Sequence, residues 1–216
     1  MRSDKVEFPD REWVHPQNGL FEEELDPDPF KQFNLWLEHA LAAKLPQPLG
    51  MALATATPDG RPSVRMVLLR GVSERGFAFF TNYQSRKAAE LRGNPRAAIV
   101  LYWAELDRQI RVEGTVEQLS AEESDVYFQT RPRGSQLGAW ASPQSQVVAN
   151  RETLDRNLQA LMAKYRDGPV PRPPHWGGYR VIPESIEFWE GGDNRLHDRL
   201  RYVRQGPGWK VERLAP

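Results

Sequence analysis

Toward the C-terminus, the run Arg195-Leu196-His197-Asp198-Arg199 places three potential cations at alternate positions. If the segment is extended, the two-residue period of a strand sends Arg195, His197 and Arg199 to one face and Leu196 and Asp198 to the other. Three cations on one face repel one another and call for an anionic partner, and histidine is the side chain suited to proton handling near neutrality. A cationic edge strand that discourages aggregation would carry the same residues. His15, His39 and His175 have no such company.

Further basic groupings lie upstream. Thr81-Asn82-Tyr83-Gln84-Ser85-Arg86-Lys87 reads as a strand end and a helix start, gathering backbone N–H groups, a hydroxyl and two cations where the helix dipole favours an anion. Arg86 and Lys87 oppose that dipole, so they are odd choices for a first turn unless an anion lies between them. A solvated basic turn is the plainer reading. Arg65-Met66-Val67-Leu68-Leu69-Arg70 brackets an apolar run with two arginines. Positions five apart on a strand face opposite sides and lie roughly 16 Å apart, so the pair would serve two anionic groups or the ends of one long ligand. Alternatively, both snorkel at the ends of a buried strand. Tyr127, Arg131, Arg133 and Ser135 bring a phenol, two guanidiniums and a hydroxyl to a helix end and the start of a loop, a set able to hold phosphate oxygens. A helix C-terminus attracts cations for structural reasons as well.

Any anion site must be local, because the 216 residues carry 29 Lys+Arg against 29 Asp+Glu. That balance argues against a sequence-independent grip on nucleic acid or an anionic membrane. The chain has no cysteine, which removes disulfides, thiolate metal sites and cysteine nucleophiles. No His-Glu-x-x-His, no Gly-x-Ser-x-Gly and no compact His/Asp/Glu cluster occurs, so no metal site is expected. Met1 to Asp10 is charged, and no stretch approaches the ~20 apolar residues of a membrane span, so a cytoplasmic protein is expected.

The elements that must position these groups follow from the pattern. Residues 1–25 read as a flexible N-terminal arm and residues 26–216 as one domain. Phe33, Leu37, Leu41 and Leu45 predict an amphipathic helix from Phe30 to Leu45, ended by Pro46 and Pro48. Turn signals at Thr57-Pro58-Asp59-Gly60 and Ser73-Glu74-Arg75-Gly76 separate strands, one of them Pro62 to Arg70 and the next Phe77 to Asn82. Strands follow at Ala97–Trp103 and Arg108–Leu119, with a short helix, Ser85 to Leu91, before them. Ser120-Ala121-Glu122-Glu123 opens a helix to about Gln129 with a capping box, and another runs from about Asn150 to Tyr165. A Pro-rich connector, Pro169 to Pro174, leads to two or three last strands that complete the sheet. The class is α+β: mainly antiparallel, a small closed or split barrel with peripheral helices. No Gly-x-Gly-x-x-Gly follows a strand and no Walker-type loop occurs.

Taken together, Arg65-Met66-Val67-Leu68-Leu69-Arg70, Phe80-Thr81-Asn82, Ser85-Arg86-Lys87, Arg108-Gln109, Ser135-Gln136-Leu137-Gly138-Ala139-Trp140, Gln144-Ser145, Trp176-Gly177-Gly178, Arg195-Leu196-His197-Asp198-Arg199 and the terminal Glu212-Arg213-Leu214-Ala215-Pro216 closely resemble the pyridoxine/pyridoxamine 5'-phosphate oxidase family. The resemblance runs from about Phe30 to Pro216. It implies a split-barrel homodimer with FMN in clefts between subunits, and oxidation of pyridoxamine or pyridoxine 5'-phosphate to pyridoxal 5'-phosphate by O2. Carried over by motif, FMN would contact Arg65, Met66, Val67, Leu68, Leu69, Arg70, Phe80, Thr81, Arg86, Lys87, Gln109, Gln144, Ser145, Trp189 and Arg199. The substrate phosphate would meet Arg70, Tyr127, Arg131 and Ser135, while Arg195, Leu196 and His197 would approach the pyridine ring. Arg195 and His197 are the catalytic pair so implied, orienting the ring and stabilising charge.

Two departures from the family pattern matter. Position 70 is Arg where the family commonly has Lys, which replaces a point charge by a planar fork. Arg11-Glu12-Trp13-Val14-His15 only loosely resembles the family's substrate-covering segment, so no site is assigned there. Another split-barrel flavoprotein, such as a flavin reductase, would lack Arg195-Leu196-His197 and the Tyr127, Arg131, Ser135 set. A non-catalytic carrier of FMN or pyridoxal 5'-phosphate would keep nearly all these residues.

Overall fold

The computed structural model describes residues 19–216. Most of the expected arm, residues 1–18, lies outside the described residues. Its last part is tied to the body: Leu20 is buried, its N–H donates to Asp198 Oδ2 at 3.1 Å, and Arg213 donates to the Leu20 carbonyl and the Glu22 carboxylate.

Helix α1 (Pro29–Ala42) starts where Asp28 accepts from the Phe30 N–H and proline occupies the first helical position. It ends three residues before the expected Leu45. Its buried stripe is Phe30, Phe33, Trp36 and Ala40, while Leu41 is 52% exposed. A strict four-residue repeat drifts around a helix of 3.6 residues per turn, so Leu41 has rotated off the face that Phe33 begins.

Strands β1 (Gly50–Ala56) and β2 (Pro62–Leu68) form the first hairpin, with Gly60 at φ 86° in its turn. β3 (Gly71–Ser73) and β4 (Gly76–Asn82) form the second. β5 (Arg96–Trp103) pairs β1 and β6 (Arg108–Gln118), and β6 pairs the fifteen-residue β7 (Trp176–Glu190). The order is β2-β1-β5-β6-β7-β4-β3, with β8 (Asp198–Gln205) and β9 (Gly208–Arg213) leaving from β7. All pairs are antiparallel, as expected for the split barrel. The branch point is within β7: Trp176–Val181 pairs β4, whereas Ser185–Glu190 pairs β8. Between these halves lies Pro183, which has no N–H to donate, opposite a register shift at Glu113/Gly114. A Cβ on Gly114 would collide with the Ile182 carbonyl, so the close strand approach at the shift requires glycine.

The barrel core is filled by Phe33, Met51, Leu53, Phe77, Phe79, Leu101, Ile110 and Phe188, all fully buried. A second cluster, Phe128, Leu137, Val170 and Trp176, packs the helices onto the sheet. Those helices are α3 (Ala121–Thr130), α4 (Arg133–Ala141) and α5 (Arg151–Lys164), whereas α2 (Arg86–Gly93) packs on the barrel core through Ala88 and Leu91. The Ser120–Glu123 capping box of α3 is present in both directions. Ser85 stands at the N-cap of α2, but its hydroxyl donates to the Asn82 carbonyl instead of capping the helix. Helix α4 replaces the loop expected after Arg131. Two glycines weaken its local signal, and contacts outweigh propensity: Leu137 and Ala141 are buried and Gln136 Nε2 donates to the Phe128 carbonyl at 3.1 Å. Among the described residues, no helix is long and apolar enough to cross a membrane.

Candidate active site

A cavity of about 690 Å³ opens between the barrel and the α3–α4 pair. Met66, Val67 and Leu68 of β2 form one side, the end of β4 contributes Phe80 and Thr81, and α3 and α4 contribute Tyr127 and Ser135. Arg70, Lys87, Arg131 and Gln144 add to its polar lining. Eleven of the residues named from the sequence therefore converge on one chamber: Met66, Val67, Leu68, Arg70, Phe80, Thr81, Lys87, Tyr127, Arg131, Ser135 and Gln144.

Lys87 is a buried cation whose Nζ donates to three neutral oxygens: Gln144 Oε1 at 3.0 Å, Thr81 Oγ1 at 3.1 Å and Ser85 Oγ at 3.4 Å. Burial lowers its pKa to about 8, with Arg65's charge acting in the same direction and Glu90's against it. Arg131 follows α3 as its C-terminal cap, with Cζ 4.5 Å from the Trp176 ring centre and 5.5 Å from that of Phe128. Its Nη1 is buried with no hydrogen-bond partner. Burial pulls the guanidinium's pKa down from its ordinary value, and nearby Arg70 pulls the same way. Such groups are costly unless an anion completes them.

Arg65 and Arg86 do not line the chamber. The Arg65 guanidinium donates to Leu53 O at 3.0 Å, Thr55 Oγ1 at 2.5 Å, the Ser63 hydroxyl and Glu90 Oε2 at 3.3 Å, which uses four of its five N–H groups. Arg86 Nε donates to Glu90 Oε1 at 2.9 Å. Glu90, 4% exposed, thus holds both arginines from behind. Burial works to raise its pKa, but hydrogen bonds from Ser63, Thr55 and Arg86, together with Arg65's charge, hold it at about 2. The two arginines of the Arg65–Arg70 run are separated by the strand's end, since β2 stops at Leu68 and the Arg70 N–H donates to the Ala78 carbonyl. Leu69 is in the core, and Ser145 stands outside the lining at φ 71°.

The remaining residues form a second group, also outside the chamber. Gln109, Trp189 and Arg199 are register partners in a row across β6, β7 and β8. The His197 ring centre lies 4.7 Å from that of Trp189. His197 Nδ1 accepts from the Gly192 N–H at 3.1 Å, so the neutral ring carries its proton on Nε2. The Arg195–Arg199 segment is not the extended run expected from its alternation. Asp193–Arg195 is a 3-10 turn with Asn194 and Arg195 at φ 55° and 62°, and β8 begins only at Asp198. The two positive-φ residues reverse the chain, so Arg195 projects from an exposed turn with the 71% exposed Leu196.

Comparison with known proteins identifies the family. A family model described as pyridoxamine 5'-phosphate oxidase matches residues 37–164, and one described as pyridoxine 5'-phosphate oxidase C-terminal dimerisation region matches residues 176–216. The chain belongs to the pyridoxamine 5'-phosphate oxidase family. A protein of Rubrobacter xylanophilus named pyridoxine/pyridoxamine 5'-phosphate oxidase is 62% identical over 92% of this chain and 91% of its own length. One of the same name from Burkholderia orbicola is 58% identical over 92% and 94%. Among solved structures, PhzG from Burkholderia lata 383 in complex with tetrahydrophenazine-1-carboxylic acid superposes with a TM-score of 0.87 at 36% identity, covering 92% of this chain and 98% of that one. The first match holds every chamber residue named above except Trp176, and the dimerisation match holds Trp189, Arg195, His197 and Arg199. Sequence reasoning gave no role to Trp176, Asn82 or Thr130, which also line the chamber. Asn82 and Trp176 had a signal, the first within the Thr81–Lys87 grouping and the second beside two glycines at the head of a strand.

Proposed function

We propose that the protein is an FMN-dependent oxidase that converts pyridoxamine 5'-phosphate and pyridoxine 5'-phosphate to pyridoxal 5'-phosphate, with O2 as acceptor and H2O2 as product. The observation that carries this reading is the unpartnered, buried Arg131 Nη1 in a chamber that also holds the buried cation Lys87. Two separate demands for an anion in one chamber suit a phosphorylated cofactor and a phosphorylated substrate side by side.

FMN fits the donor set around Lys87, because that ammonium meets only neutral hydrogen-bond partners and Thr81 and Gln144 stand beside it. When bound, FMN supplies the acceptor for the two electrons leaving the substrate's C4' carbon and hands them on to O2. The chain's own residues do the placing. Lys87 holds the cofactor phosphate, while β2 from Met66 to Leu68 walls its ring and Arg86, turned to Glu90, stays outside the chamber. Arg70, Tyr127, Arg131 and Ser135 fix the substrate phosphate, which sets the distance from the phosphate to the reacting carbon. Arg65, turned to Glu90, supports the cofactor site from behind.

Gln109, Trp189, Arg195, Leu196, His197 and Arg199 act on the chamber of a second copy in a homodimer, so each site is built by two chains. Arg195 covers the substrate ring. His197, with its proton on Nε2, donates to an acceptor on that ring and does not take a proton from carbon.

The test is to load the purified chain with FMN and supply pyridoxamine 5'-phosphate in air. Formation of pyridoxal 5'-phosphate with matching O2 uptake is the expected result, and an FMN-loaded protein that does neither refutes the oxidase. The likeness to PhzG favours one competing reading, oxidation of a reduced tricyclic carboxylic acid whose carboxylate sits against Arg131. Turnover of tetrahydrophenazine-1-carboxylic acid in preference to pyridoxamine 5'-phosphate would establish that reading instead.

A further inference from the structure

Trp176 opens β7, is 6% exposed, and faces the chamber as part of a wall of three nearly parallel rings. Its ring is 5.5 Å from Phe80 at 13° and 6.2 Å from Tyr127 at 9°, and Phe80 and Tyr127 are 3.9 Å apart at 21°. The wall depends on the following glycines. Gly178 is the register partner of Phe80, and a Cβ there would strike the Phe80 ring and the Leu119 side chain. The Arg131 guanidinium lies over the Trp176 face at 4.5 Å. Among the described residues no ion pair holds Arg131, and its Nη1 has no partner.

We propose that Trp176 is a positioning residue for the substrate's phosphate: its face holds the Arg131 guanidinium in place and leaves the N–H groups to the incoming oxygens. The proposal rests on the oxidase reading of the chamber. A guanidinium in a binding site has to be held still before the ligand arrives, or ordering it weakens binding. A carboxylate would do this while occupying the donors and repelling a phosphate dianion. An aromatic face attracts the cation through its quadrupole, uses no donor and adds no negative charge. The same ring excludes water from one side of Arg131, which strengthens the ion contact that phosphate makes on the other.

The experiment compares FMN-loaded wild type, Trp176→Phe and Trp176→Leu by titration with pyridoxal 5'-phosphate and with pyridoxal, which lacks the phosphate. The preference for the phosphorylated ligand is expected to fall roughly tenfold in Trp176→Leu and about threefold in Trp176→Phe, following the loss and then the weakening of the ring's attraction. Pyridoxal affinity should be unchanged, and KM for pyridoxamine 5'-phosphate should rise with kcat held. An unchanged preference in folded Trp176→Leu overturns the proposal. If the leucine variant does not fold, an unchanged preference in Trp176→Phe does the same, and so does equal weakening of both ligands in either variant. A wild type that binds pyridoxal as tightly as pyridoxal 5'-phosphate overturns the phosphate assignment of the chamber itself, and the role of Trp176 with it.

Discussion

Glu187 on β7 grips Arg199 on β8 at two points, with Arg199 Nε donating to Oε1 at 2.8 Å and Nη2 to Oε2 at 3.2 Å. The carboxylate is 7% exposed, and its other cation, Arg111, stands off at 3.4 Å. Removing Arg199 therefore leaves the buried carboxylate with only the long Arg111 contact, whereas removing both partners leaves no buried carboxylate. Arg199→Met is expected to destabilise the protein by roughly 2–4 kcal/mol, and the Glu187→Leu/Arg199→Met double variant by less than the single. Urea unfolding of the four proteins at fixed concentration measures this. Strictly additive losses would show that the fork contributes nothing of its own.

If Lys87 holds the FMN phosphate as proposed, FMN affinity is expected to depend on pH. Without the cofactor the Lys87 pKa is about 8, chiefly through burial, and a bound phosphate dianion draws it back up. Above about 8 the complex then holds more protons than the free protein, so affinity must fall as pH rises. Folding has the opposite sign. The unfolded chain binds more protons between about 8 and the ordinary 10.5, so the cost of burying the charge is present below 8 and relieved above it. Fluorescence titration of FMN should show affinity level up to pH 8 and falling by up to about tenfold per pH unit beyond. Lys87→Met should bind roughly 10- to 100-fold more weakly at neutral pH and lose the alkaline decline. The same decline in both proteins would remove Lys87 from the phosphate site.

Glu90 gives an acid-side signature. Its carboxyl is held at about 2 against an ordinary 4.5, so its contribution to stability is whole above 4.5 and is lost as pH falls toward 2. The stability difference between wild type and Glu90→Gln should accordingly shrink as pH drops through that window. Urea midpoints measured at a series of pH values give the difference directly. A difference that stays constant would mean that the hydrogen bonds from Thr55, Ser63 and Arg86 do not favour the ionised carboxyl.

The first two hairpins were legible because turn residues punctuate them, and the capping box at Ser120 marked α3 without help from the fold, whereas β3 was not, and β5 and β6 reverse through Ala104-Glu105-Leu106 with no glycine or proline. Helix α4 was not legible, since Gly134 and Gly138 hide a helix that exists through burial of Leu137 and Ala141. In the site, residue type picked out Lys87, Tyr127, Arg131 and Ser135, since phosphate demands cations and hydroxyls wherever they come from, but it equally picked out Arg86 and Arg133, which turn to Glu90 and to the Tyr165 and Gly168 carbonyls and do not line the chamber. The orientation of Arg65 was hidden: nothing in β2 announces that Glu90, 25 residues later, turns it away from the chamber. Nor does alternation reveal the reversal at Asn194 and Arg195, because residues with an ordinary side chain take positive φ there.

The separation of the chamber from the Trp189–His197 group gives the two-chain site its sharpest test. On the two-chain reading, Arg131→Ala is expected to disable a chamber from within its own chain, and Arg195→Leu the chamber of the partner. Each variant alone should be nearly inactive at low pyridoxamine 5'-phosphate, Arg131→Ala through KM and Arg195→Leu through kcat with FMN still bound. When the two are unfolded together and refolded as an equal mixture, half the dimers contain one of each. In such a dimer one chamber carries both defects and the other carries neither. Activity should therefore return to about a quarter of wild type, as random pairing in a twofold dimer requires. A site made by one chain predicts no recovery, because every chain in the mixture bears one defect. Refolded dimers that stay inactive would place Arg195 and Arg131 in the same chain's site.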